Sequence, residues 1–240
     1  MRPIFFTLLL ALTILSCSPY KTLVVKKDLD NAYKMAVKDA STAKSSEIDN
    51  SLLSITDNNL NLKRNDKGQI LVVTWTNWNG YDELANKDMT LTREIWATTA
   101  PQLKAFSNNL RLDSAKMVLR LEQLLGLPAH TGKNRFVEIW VNPSDLFRPC
   151  PDPEISDEEC ELDFPTSSYF TIAEEHQKWI ENLRANSYGK DGYPWTQLGY
   201  TYDWGNPKNH VGLSEFVIKP NSTVTIKGVS NVYEYCNAKR

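Results

Sequence analysis

The longest apolar stretch of this chain without a charge in it is Ile4 to Ile14 of "MRPIFFTLLLALTILSC", broken only by threonines. Arg2 precedes it and the small residue Ser16 closes it, giving the basic start, apolar middle and small-residue end of an export signal. The run is too short to hold a bilayer-spanning helix. The rest of the chain must therefore fold as a body in an aqueous, oxidising compartment, with its apolar residues dispersed as periodic patterns rather than spans.

The residues at the end of this segment, Ile14-Leu15-Ser16-Cys17, resemble the lipobox of bacterial lipoproteins. The resemblance covers about the first 20 residues of the chain, those of the signal segment itself. It implies that residues 1–16 are removed and that Cys17 carries the lipid that anchors the rest, several acyl chains giving stable attachment where one would not. Ser18, in place of an aspartate, implies an outer-membrane location where the source has one. The expected organisation is a signal peptide at 1–16, a lipid-anchored helix and linker at 17–69, and a globular domain at 70–240.

Charge narrows the partners. Removing the leader deletes Arg2 alone and leaves 26 basic against 29 acidic residues, so no basic excess exists to neutralise phosphates and nucleic acid is not an expected partner. The expected contacts are the membrane, through the anchor, and a glycan, peptidoglycan or envelope protein. No cofactor is expected, since no phosphate-cradling glycine loop, dinucleotide fingerprint or G-x-S-x-G elbow occurs.

Metal is not expected either. The three histidines, His130, His176 and His210, share no ligand spacing. Asp57, Asn59 and Asn61 begin like a calcium loop, but Leu62 and Gly68 stand where its glycine and closing glutamate belong. Cys150 and Cys160 bracket the acidic loop "CPDPEISDEEC" and are expected to form a disulfide worth about 2–3 kcal/mol. Arg148 is expected to pair with one of the loop's acids.

Periodicity supplies the elements. Leu29, Tyr33, Ala36, Val37 and Ala40 recur at helical spacing, as a stalk or as a helix lying on the domain. Polar residues 46–69 read as a linker. Strands are expected at "ILVVTW", at "MTLTREIWATT", at "RFVEIWV", and at "SEFVIK" and "STVTIKGV" around a Pro220-Asn221 turn. Asp113 caps a helix ending at Gly126, Pro101 opens a shorter one, and Thr171 with Glu174 reads as the capping box of a third. Strands and helices follow no regular alternation and the last third reads as a meander. The expected fold is α+β, a single domain with a mainly antiparallel sheet packed by two or three helices.

Two candidate sites lie in and around "YPWTQLGYTYDWGN". In an extended conformation Leu198, Tyr200, Tyr202 and Trp204 share one face. These aromatics, extended by Trp75, Trp78 and Tyr81, form either a sugar-stacking platform or the core side of a sheet. The opposite face offers Asp203, with His210 and Glu215 across the next loop, as an acid–base group. Ser214-Glu215 resembles, over two residues only, a strand of exported ADP-ribosyl-transferring and NAD-cleaving toxins. The leading expectation is a non-catalytic binding or envelope-interaction domain, and the alternative is an exported enzyme, a hydrolase or NAD-processing type, using that trio.

Overall fold

A computed structural model describes residues 19–110, 112–166 and 171–237; the signal segment and Cys17 lie outside them. The chain runs α1 (Pro19–Ala40), β1 (Ile70–Thr76), β2 (Lys87–Thr90), β3 (Ile95–Thr99), α2 (Ala100–Asn109), α3 (Ser114–Leu124), β4 (Arg135–Val141), β5 (Leu146–Phe147), α4 (Glu174–Asn186), β6 (Tyr200–Tyr202), β7 (Val211–Ile218), β8 (Thr223–Ser230) and α5 (Val232–Asn237). The fold is α+β, with one eight-stranded antiparallel sheet in the order β2-β8-β4-β1-β3-β7-β5, and with β6 pairing on β7. No described helix is long and apolar enough to cross a membrane.

The strand order forces the sheet to roll. Strands β7 and β8 are joined by residues 219–222, yet β3, β1 and β4 stand between them. In a flat sheet they would be about 19 Å apart, whereas five stretched Cα steps reach only about 17 Å. This link is not even stretched, for Asn221 turns at φ 66°. The meander expected here is thus replaced by a crossing over the end of a curled sheet. Residues 91–94 cross the same end, from β2 to β3, and the two links bond to each other through Leu91 N to Ser222 O (2.9 Å) and Asn221 N to Leu91 O (2.8 Å). The single strand expected over 89–99 is accordingly two strands, divided where Leu91 plugs the opening at 2% exposure.

Strict alternation sorts the two faces. Ile70, Val72, Val137, Ile139, Phe216, Ile218, Val224 and Ile226 fill the concave side. Leu71, Val73, Trp75, Phe136 and Leu213 face outward under Leu103 of α2, Met117, Leu121 and Leu124 of α3, and Tyr235 of α5. Asp113 caps α3 by accepting from Lys116 N at 3.0 Å, and Gly126, at φ +63°, ends that turn. The capping box expected at Thr171 does not form: α4 starts after Ala173, with no side-chain cap.

The polar segment before β1 is not a free linker. Leu52, Leu53 and Ile55 are buried, and Leu52 N, Leu53 N and Ile55 N donate to Glu158 O, Ser214 Oγ and Ile155 O. Helix α1 lies on the domain, burying Ala36 and Ala40 against Tyr202 and Trp204. Cys150 and Cys160 are disulfide-bonded, and Cys236 is free and buried.

Candidate ligand-binding cleft

The centre of the sheet is open on one side of β1. Strands β1 and β3 pair only at Val72↔Thr99 and Val73↔Thr98, although β1 continues to Thr76 along β4 and β3 begins at Ile95 along β7. Thr76 O accepts from Asn134 N on the β4 side. By alternation the peptide groups of Trp75 therefore turn the other way, into the gap, where Trp96 would be the next bonded partner. That rung is not made. Instead Lys133 Nζ reaches in and donates to Trp75 O at 3.1 Å.

The gap is a cavity of about 380 Å³, and Val73–Thr76 and Arg93–Thr98 are its walls. A second chamber of about 380 Å³ adjoins it toward Leu183 and Tyr193–Trp195. Both chambers are lined by Trp96, Leu125, Leu127, Lys133, Thr201 and Glu215. Glu215 is placed there by register: it pairs with Thr98 on the same outward face as Val73.

Two of the shared groups are ionisable side chains whose charged forms are at odds with their surroundings. Glu215 shows a little area to the cavity but is enclosed by protein, and it has no ion-pair or hydrogen-bond partner among the described residues. Desolvation alone pushes its carboxyl up to about 8, so it is largely protonated at neutral pH. Burial pushes the Lys133 ammonium below its ordinary value. Arg93, at the mouth, makes no ion pair among the described residues. Glu94 is engaged, accepting from the indole N–H of Trp96 (3.2 Å) and of Trp179 (2.8 Å). Tyr81 closes the concave side, its phenol pushed up by burial.

The aromatic stretch is inside. Every residue from Pro194 to Trp204 is buried. Leu198 and Tyr200 pack with the disulfide, and Tyr202 and Trp204 under α1. Tyr200, Tyr202, Trp204, Trp75 and Tyr81 are 5%, 6%, 9%, 5% and 4% exposed, and of the six rings named for stacking only Trp78, at 44%, meets solvent. They form no exposed platform. Aromatic residues on a half-buried strand bury large area whenever another layer covers them, and here α1 supplies that layer.

The acid–base trio is dispersed. Asp203 is 3% exposed and takes a two-pronged pair from Arg120, at 2.8 and 2.6 Å. His210 Nδ1 meets the Tyr202 hydroxyl and lies 3.7 Å from Asp39 Oδ2, in a separate cleft of about 270 Å³. Only Glu215 opens into the central cavity. Lys133, Trp96 and Arg93 escaped sequence reasoning because nothing local marks "TGKNRF" or "TREIW" as site segments; the sheet gap alone joins them.

Elsewhere the charged groups serve packing. Arg148 is fully buried, its Nη2 donating to Leu53 O (3.1 Å) and Asp157 O (2.7 Å), with Asp157 Oδ1 3.6 Å from Nε. His176 Nε2 bonds Cys150 O at 2.8 Å, and burial pushes its imidazole below the ordinary value. Among the described residues no three His, Cys, Asp or Glu side chains converge as a metal set. No family model matches the chain, and no curated protein or solved structure matches it either.

Proposed function

We propose that this chain is an extracytoplasmic lipoprotein, anchored through Cys17 to a bacterial outer membrane, whose domain binds a small ligand without chemically changing it. The cleft between β1 and β3 is its binding site, in place of the aromatic stretch. One observation carries this reading: Glu215, a half-buried carboxyl without a side-chain partner among the described residues, opens into a cavity in the middle of the sheet. Such a group costs stability unless it meets something. Binding is favoured over catalysis because Asp203 is held by Arg120 and His210 by Tyr202 and Asp39. General acid–base chemistry needs a matched second group at the reacting atom; Asp203 and His210 do not reach Glu215's cavity, and Lys133, which does, is spent as a donor to Trp75 O.

The anchor is tested by fractionation: Cys17→Ser is expected to move the protein from the membrane to the soluble fraction, and continued retention refutes it. The site is tested by thermal shift of the detergent-solubilised lipoprotein with amino acids, peptides, sugars and peptidoglycan fragments. Stabilisation by one of them is expected to vanish in Glu215→Gln and to persist in Trp78→Ala. Binding indifferent to Glu215 rejects the cleft, and turnover of the bound compound rejects the non-catalytic reading.

A further inference from the structure

We infer that the cleft recognises a zwitterionic amino compound, an α-amino acid or short extended peptide, with its ammonium on Glu215 and its carboxylate toward Lys133 and Arg93. The inference rests on the cleft being the binding site, and it follows from charge, spacing and backbone chemistry together.

The cavity faces a ligand with one unengaged acid and two bases, because Glu94 is taken by the Trp96 and Trp179 indoles. A purely cationic ligand leaves both bases unanswered. A purely anionic one meets Glu215 only as a neutral donor and brings no cation to pair with its carboxylate. Only a ligand bearing both signs satisfies the set: burial shifts Glu215 and Lys133 toward their neutral forms, and an ammonium beside the one and a carboxylate beside the other favour the charged forms again.

Spacing sets the order and length. Glu215 sits at the last closed rung, level with Val73 and Thr98. The Lys133 ammonium meets Trp75 O, two residues toward the mouth, which is about 7 Å along the strand. One or two residues with charged ends cover that length, and Arg93 lies farther out for a longer chain. The unmade rung between Trp75 and Trp96 offers main-chain groups to an extended backbone, the means by which sheet edges take peptides. Leu125 and Leu127, shared by both chambers, supply apolar contact for a side chain.

The test is calorimetric titration of the detergent-solubilised lipoprotein with Ala-Leu, N-acetyl-Ala-Leu, Ala-Leu-amide and free leucine. Ala-Leu or leucine is expected to bind, and the tighter of the two tells whether the source is peptide or free amino acid. Capping either end is expected to weaken binding about tenfold to a hundredfold. Glu215→Gln is expected to erase the difference between Ala-Leu and its acetylated form while keeping the amide penalty. Lys133→Met is expected to shrink the amide penalty alone, and unchanged unfolding midpoints control for misfolding. Equal binding of capped and uncapped forms, or no binding by any of the four, overturns the inference. If another small compound stabilises the wild type but not Glu215→Gln, the cleft survives as a binding site and only the zwitterion is lost.

Discussion

Replacing Glu215 by glutamine should make the protein more stable, and increasingly so as pH rises. In the folded state burial pushes the Glu215 carboxyl up from 4.5 to about 8. Between those values the unfolded chain has released the proton while the folded chain keeps it. The folded state then binds more protons, so wild-type stability falls as pH rises, by about 1.4 kcal/mol per unit for a full proton. Over the whole interval the loss approaches about 5 kcal/mol, and about half of that if water in the cleft solvates the carboxylate. Glutamine keeps the shape and cannot ionise, so its stability lacks this slope. The assay is urea unfolding of wild type and Glu215→Gln from pH 5 to 9, with the disulfide intact, reading only the difference between the two. That difference should be under about 1 kcal/mol at pH 5 and grow in favour of glutamine to a plateau above pH 8. A flat difference, or one that grows in favour of wild type, means that Glu215 is ionised and paired in the folded protein, and the account of the cleft fails.

Three further outcomes are expected. Asp203→Asn strands Arg120 beneath the β6–β7 hairpin and should cost about 3–5 kcal/mol in urea unfolding, whereas a loss under 1 kcal/mol would mark the pair as solvent-screened. Cys150→Ser should cost about 2–3 kcal/mol, and an unchanged unfolding midpoint would show that the loop is held by Arg148 rather than by the bridge. Trp204→Ala removes the ring that meets Tyr33 edge-on at 5.9 Å and donates to Leu127 O at 2.9 Å; α1 should loosen and its exposed lysines become trypsin-sensitive severalfold faster, and unchanged cleavage would show that its other contacts, among them Tyr33 to Gly192 O and the Tyr202 hydroxyl to Asp39, suffice to hold it.

Much of the local structure was legible because short-range physics controls it. "ILVVTWT" and "RFVEIWV" alternate as neighbouring strands should, and their residues pair in full register from Ile70↔Val141 to Thr76↔Arg135. Asp113 and Gly126 bound α3 because a cap needs only its own neighbours. The acidic loop with a cysteine at each end closes on itself. Legibility ended where one segment depends on a distant one. Leu52, Leu53 and Ile55 sit in polar surroundings in the chain, and their burial comes from the loop at 155–158 and from Ser214. The Thr171 capping box has the right residues, yet the chain enters α4 with no side-chain cap on Ala173.

The candidate site divides along the same line. Sequence by itself determined that Glu215 stands on a strand and that no common catalytic motif accompanies it, since alternation and motif spacing need no partner to be read. Tertiary structure alone decided what Glu215 meets. Strands β1 and β3 part after two paired residues, Lys133 enters the opening from the β4 side, and α1 covers the aromatic face that would otherwise be the obvious platform. Each depends on the free-energy balance of the whole rolled sheet, in which strands remote in sequence compete for the same edges, and no local pattern encodes that balance.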